Sequence, residues 1–222
     1  LTDVNDQHFK CLETVLYMAK LHRKFREANG MLTVNIPSPK VKVNGFGIVS
    51  VAVEDTESSA SHLLVSEAMV MAGRVAAIIA REARLSMPYR CHEYPPGLTH
   101  SLSTSPLADR LRVFDDMTAS CIDASPMPHQ AMGLDCYVKA TSPLRRFGDL
   151  LAHYQLKHVI NSKNWRPIPK ASVEETIPSL YRNEQYLKRL QQSTVRYWIV
   201  VHISTLLKTS DSLSIMADAI AL

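Results

Sequence analysis

Between Tyr137 and Lys157 the chain reads YVKATSPLRRFGDLLAHYQLK, and the chemistry it could do lies in two adjacent guanidinium groups, Arg145 and Arg146. A guanidinium is a planar fork of donors that can grip two oxygens of a phosphate or carboxylate at once. Ser142 is a good N-cap, Pro143 suits the first helical position, and no helix passes through Pro143 from upstream. A helix is therefore expected to start here with both arginines in its first turn. Cations at the positive end of a helix call for an anion close by. From Tyr137 to Lys170 the cations Lys139, Arg145, Arg146, Lys157, Lys163, Arg166 and Lys170 face one acid, Asp149. On charge alone the segment reads equally as a solvated basic face or as a binding surface.

Glu67 is the second candidate. A carboxylate flanked by Val65, Ala68, Met69 and Val70 in an apolar helix needs a partner when buried, and Arg74 or another segment could supply it. Arg146 could pair with Asp149 as a structural arginine. Lys139 alternates with Tyr137 on one strand face and is the best additional phosphate contact. His129 and Tyr137 have ordinary readings as a loop histidine with one hydrogen bond and a core tyrosine with its hydroxyl at the surface. Gln191, Gln192, Ser193 and Arg196 of the last helix could line the same path, whereas no clear stacking clamp stands out among Phe46, Tyr89 and Tyr94.

Positioning these groups requires a mixed architecture. Phe9, Leu12, Leu16 and Ala19 recur at helical spacing, with Asn29-Gly30 as a C-cap. MLTVNI alternates as a strand ending at Pro37 and Pro39, and VKVNGFGIVSVAVED reads as two strands around an Asn44-Gly45 turn. From Ser58 to about Arg84 a long helix is expected to bury Leu64, Ala68, Met71, Val75, Ile78 and Ile79. MPYRCHEYPPGLTHSLSTSP reads as a surface loop, LADRLRVFDDM as a short helix, and LDCYVKAT as a strand. After the loop NSKNWRPIPK, SVEE has capping-box spacing, and Pro178 separates it from a main helix over Ser179 to Leu207. Leu187, Leu190, Thr194, Tyr197 or Trp198, and Val201 form that helix's expected inner face. The fold class is α+β, a small antiparallel sheet packed with long helices and a helix-rich C-terminal half.

Bulk properties fit one globular domain over residues 1–222, with 46% hydrophobic residues. A net charge of +4 does not by itself signal nucleic acid. Cys11, Cys91, Cys121 and Cys136 show no C-x-x-C or His spacing for zinc, which favours a reduced intracellular protein and implies no structural metal. No apolar run approaches a membrane span, and no membrane partner is expected. The chain begins at Leu1 directly on a helical pattern, which reads as a segment of a longer protein and leaves targeting open.

TSPLRRFGDLLAHYQL resembles the signature of the ribonuclease II family. PHQAMGLDCY upstream of it, LLVSEAMVMAG around Glu67, AKLHRKFREANGML in the first helix and STVRYW in the last extend the likeness over nearly the whole chain, closest to the mitochondrial and cyanobacterial branch. The resemblance implies an RNB-type fold and a processive 3′-to-5′ exoribonuclease that hydrolyses single-stranded RNA to nucleoside 5′-monophosphates. It implies Mg²⁺ held by an aspartate cluster that lies upstream in the family. Neither DVND at Asp3 to Asp6 nor FDDM at Asp115 and Asp116 fits that cluster. The chain then supplies the RNA-channel part of the domain, and whether cold-shock and S1 barrels flank it is left open.

By the same resemblance Arg145 clamps phosphate near the cleaved bond and stabilises transition-state charge. Thr141, Ser142, Arg146, Tyr137 and Lys139 line the RNA, and Glu67 accepts from a ribose 2′-hydroxyl. Ser66 and Gly73 depart from the family's usual glutamate and asparagine. An RNA helicase partner and a mitochondrial location are implied, with a cytoplasmic location as the alternative. A catalytically inactive RNA-binding or scaffold protein, and a helical interaction module in which the arginines only stabilise the fold, are the competing readings.

Overall fold

A computed structural model describes residues 6–33, 38–54, 59–94, 117–161 and 163–209. In chain order it contains α1 (Asp6–Ala28), β1 (Ser38–Val43), β2 (Val49–Glu54), α2 (Ala60–Glu82), β3 (Tyr89–Cys91) and β4 (Cys121–Asp123). A one-turn 3-10 helix (Gln130–Met132), α3 (Phe147–Ile160) and α4 (Lys170–Thr209) complete it. The fold is α+β, with β1–β2 and β3–β4 each an antiparallel pair. Two compact units share the chain: Leu1–Ile36 with Ser59–Tyr181, and Pro37–Ser58 with Arg182–Leu222.

In the second unit, β1 and β2 pair in register from Ser38↔Glu54 to Val43↔Val49, the hairpin expected around Asn44-Gly45. Asn44 Oδ1 accepts from the amides of Phe46 (3.0 Å) and Ile48 (2.9 Å), an Asx-type closure that its short side chain allows. β1 starts earlier than expected and contains Pro39, which an edge position tolerates. Residues 31–33 are not a strand, and the rest of MLTVNI lies outside the described residues. The part of α4 in this unit exposes Leu187, Leu190 and Tyr197, so its expected inner face is not buried.

The first unit is built on α2. Ser59 caps it by accepting from His62 N at 3.5 Å. Its buried stripe is Glu67, Gly73, Ala76, Ala77 and Ala80, while Val75 and Ile79 are exposed, so the expected stripe of large residues is corrected. The reason is distance of approach: a Cβ on Gly73 would collide with the Tyr137 ring and the Val138 carbonyl, and only small residues let that segment lie against the helix. The core joins Ala76, Ala77 and Ala80 to Met87, Tyr89, Cys136, Val138 and Ala152. Burying a side chain the size of Met87 or Val138 contributes about 1.5–3 kcal/mol. α1 likewise buries Ala19, His22 and Arg26 and exposes Phe9 and Leu12.

By length and composition α2 could cross a membrane, a property the sequence reading did not anticipate. Three of its four charged residues have partners on neighbouring segments: Glu67 on α1, and Arg74 and Arg81 at Asp135. One face of the helix, at Gly73, Ala76, Ala77 and Ala80, is packed in the core of the first unit.

Several further expectations change. MPYRCH is no surface loop: Met87, Tyr89, Arg90, Cys91 and His92 are buried in and around β3, and residues 95–116, including the helix expected at LADRLRVFDDM, lie outside the described residues. β3 pairs with β4, which sets Cys91 opposite Cys121, and the two form a disulfide with Cα atoms 5.2 Å apart. The sequence favoured a reduced protein over a disulfide scaffold; this pair is the one disulfide among the described residues, and Cys11 and Cys136 are free. LDCYVKAT makes only single bridges, Leu134 to His129 and Val138 to Tyr89. Pro178 lies inside one continuous helix, and Ser172 is not its cap.

Candidate RNA-phosphate site

The arginine pair sits in a turn ahead of the helix. Arg145 and Arg146 amides both donate to the Ser142 carbonyl, at 3.2 and 3.0 Å, and α3 begins only at Phe147. Ser142 is therefore not the N-cap. Arg146 is, in extended backbone geometry, and the first helical turn carries Asp149. That order removes the conflict of cations at a positive helix end, because the charge inside the turn is a carboxylate, which the helix dipole favours.

Asp149 organises the loop. It is almost wholly buried, and its Oδ2 accepts from the Ser142 amide (2.8 Å) and from an Arg146 terminal nitrogen (2.6 Å). The same Arg146 nitrogen donates to Thr141 Oγ1 at 3.3 Å. One turn later His153 donates from Nε2 to the Ala140 carbonyl at 2.6 Å. α3 thus holds the loop at both ends, while Gln155, fully buried, ties the helix to the Ser86 and Ile168 carbonyls and the Ile168 amide.

The two arginines therefore have different environments. Arg146 is folded back on Asp149 and Thr141. Arg145 is exposed and has no ion pair or hydrogen-bonding side chain among the described residues, next to Leu144 at 103% exposure. A fork with no internal partner on a loop pinned from behind is free to take an external anion.

Tyr137 lies half-buried behind the loop, its ring edge-on to His129 at 6.1 Å. Burial raises its phenol pKa, with Arg146 opposing and Asp149 adding to the rise. His129 in turn stacks on His92 at 5.6 Å. Burial first, then the His92, Arg90 and Arg26 charges, push the His129 imidazole down to about 4, so it is neutral near pH 7. Neither ring nitrogen of buried His92 has a hydrogen-bond partner among the described residues. Lys139 is half-buried on the same extended segment, and Thr141 is exposed.

Glu67 belongs elsewhere. Its Oε1 accepts from Arg26 Nη1 at 2.6 Å, its Oε2 from His22 Nδ1 at 2.8 Å, and its side chain is 1% exposed. Arg26 also donates from Nε to the Met132 carbonyl at 2.9 Å, which joins α1, α2 and the 3-10 turn. Gly133 ends that turn at φ 63°, against the Arg26 carbonyl, where a Cβ would clash. Both carboxylate oxygens are taken from inside, so the expected contact with a ribose hydroxyl is replaced by an interior anchor, and its partners are on α1 rather than Arg74. Gln191, Gln192, Ser193 and Arg196 are exposed on α4 in the other unit.

Sequence reasoning missed His22, Arg26, His153 and Gln155, whose roles come from pairings across 13 to 106 residues. For Asp149 the signal was present as the lone acid in a basic stretch.

Residues 2–162 match the RNB domain family. The chain is 32% identical over 185 residues to an uncharacterized ribonuclease of Synechocystis, covering 81% of this chain and 27% of that protein. It is 27% identical over 184 residues to the mitochondrial exoribonuclease II of Schizosaccharomyces pombe, covering 77% of this chain and 19% of that one. Among solved structures, an active-site mutant of the Dss1 exoribonuclease from Candida glabrata superposes with a TM-score of 0.78 at 21% identity, over 94% of this chain and 28% of that one. RNase R of Mycoplasma genitalium in complex with double-stranded RNA gives 0.75 at 15% identity, over 92% and 43%. The chain spans 19% to 27% of the length of these two curated relatives.

Proposed function

Because this chain belongs to the RNB domain family, we propose that it is part of a 3′-to-5′ exoribonuclease and that its Thr141 to Asp149 loop holds the phosphates of single-stranded RNA. The observation that carries this reading is the division of labour between the arginines: Arg146 is consumed by Asp149, and Arg145 is exposed with no ion pair or side-chain hydrogen bond among the described residues. Arg145 binds phosphate as a charge-assisted fork and, at the scissile position, stabilises the extra charge of the transition state. Thr141, Ser142 and Lys139 line the same side, with Tyr137 behind them. Processive release of nucleoside 5′-monophosphates follows the same proposal, as do a mitochondrial location, a property named for several relatives, and an RNA helicase as partner.

Magnesium is the proposed cofactor, supplying an activated water and charge neutralisation at the leaving oxygen. The residues described here do not fit it: no group of three or more His, Cys, Asp or Glu could hold a metal among them. We place its ligands on residues other than these, and the part of this chain in hydrolysis is to bind and orient RNA and, through Arg145, to stabilise transition-state charge.

The test is degradation of a 5′-labelled RNA by the full-length protein with and without magnesium, for the parent and for Arg145→Ala. The parent shortens the RNA from its 3′ end only with magnesium, and the variant does so at least about tenfold more slowly. Equal rates in the two proteins overturn the assignment of Arg145. Binding without degradation in either condition would instead identify an inactive RNA-binding member of the family.

A further inference from the structure

At the far end of α3 the chain builds a second surface. Trp165 is set by backbone bonds, its amide donating to the Asn161 carbonyl (3.2 Å) and its carbonyl accepting from His158 Nδ1 (2.6 Å), so the loop after the helix folds back onto it. Its ring meets Tyr154 edge-on at 5.2 Å and carries the Lys157 ammonium 4.6 Å from its centroid. Tyr154, Lys157, Lys163 and Arg166 are exposed. Lys157, Lys163 and Arg166 have no acidic partner among the described residues, and no Asp or Glu occurs in sequence between Asp149 and Glu174.

An acid-free run alone is an ordinary solvated face. Here it surrounds an indole fixed by its own loop, and aromatic faces interleaved with unpaired cations suit single-stranded nucleic acid, with stacking for a base and ammonium or guanidinium for its phosphates. A folded protein partner of acidic character would not need the fixed indole. We infer that Tyr154, Lys157, Lys163, Trp165 and Arg166 form an outer docking platform for single-stranded RNA, about one α3 length from Arg145. At 14 residues that is about 21 Å. The platform holds a stretch of strand remote from the end gripped at Arg145, and it rests on the reading of this chain as part of an RNA-binding nuclease.

The purified chain with Trp198→Phe leaves Trp165 as the one indole. It is titrated with single-stranded RNAs of about 4 and about 16 nucleotides, bracketing single-strand site sizes, and circular dichroism checks each variant's helix content. The longer RNA quenches the Trp165 emission. Lys163→Glu/Arg166→Glu weakens the longer RNA about tenfold and lowers the salt slope by about 1.4, about 0.7 for each cation removed. Arg145→Ala weakens RNAs of both lengths. An unquenched indole together with an unchanged salt slope in the double variant overturns the platform while Arg145→Ala still loses affinity. The reverse result, a loss in the double variant and none in Arg145→Ala, leaves the platform standing and removes the reading of Arg145.

Discussion

Two buried carboxylates in the first unit each recruit an arginine, and they are put to different use. Glu67 is a closed site: both oxygens are filled, by Arg26 and His22, and the guanidinium also reaches the Met132 carbonyl. Asp149 is an open one: it takes Arg146 and the Ser142 amide and leaves the neighbouring Arg145 to solvent. Both acids are equally hidden, with side chains 1% exposed. Burial of an acid therefore does not distinguish structure from function here. The distinguishing feature is whether a cation is left over once the acid is satisfied.

The largest effect tests the closed site. Glu67→Ala strands a buried guanidinium and should cost about 3–5 kcal/mol of unfolding free energy, read from urea melts. A loss within about 0.5 kcal/mol would mean that the network is dispensable and that Glu67 is free for other work. Gly73→Ala comes next, since the same helix carries both the closed site and the surface against Tyr137. A Cβ there has no room beside the Tyr137 ring and Val138 carbonyl, and about 1–3 kcal/mol is expected from the forced shift. Should that variant keep its stability but lose RNA affinity, the two regions are coupled through Tyr137 rather than independent.

The open site is probed by crossing its two arginines. Arg146→Ala removes charge-assisted bonds to Asp149 and should lower stability by about 1.5 kcal/mol. Arg145→Ala should leave the melt unchanged and weaken RNA binding about tenfold. The same variant ranking in both measurements would erase the contrast between the two sites.

How much of this was legible depended on range. The hairpin at Asn44 and the spans of α1 and α2 followed from local periodicity and turn chemistry. The buried stripe of α2 did not, because side-chain hydrophobicity favoured Val75 and Ile79, whereas the close approach of Tyr137 and Val138 selected Gly73 and three alanines. Pro178 was expected to separate the turn at Ser172 from the main helix, which in fact runs through it from Lys170. The start of α3 was misplaced for a related reason: Ser142 and Pro143 are as suitable for a turn as for a helix entry, and Asp149 decides between them from seven residues away. The identity of Arg145 was readable, but its freedom was not, since it depends on Arg146 having claimed the acid.

The pH-dependent effect concerns the histidine between the two sites. His129 is held neutral by burial, His92, Arg90 and Arg26, with a pKa of about 4 against an ordinary 6.5. Between these values the unfolded chain binds the proton and the folded chain does not. The contribution is fully present above about pH 6.5 and is lost as pH falls toward about 4, with no further loss below. The melting temperature of the parent should therefore decline across that window more steeply than that of His129→Gln, measured by thermal melts at fixed ionic strength. Because Arg26 belongs to the closed site, Glu67→Ala in the same series asks whether that cluster sets the field at His129. Removing the carboxylate leaves the Arg26 charge uncompensated, which should depress the imidazole further and extend the decline to lower pH. Identical slopes for parent and His129→Gln would show that the imidazole is protonated in the folded chain and that its surroundings are wetter than the packing of His92 and Tyr137 implies.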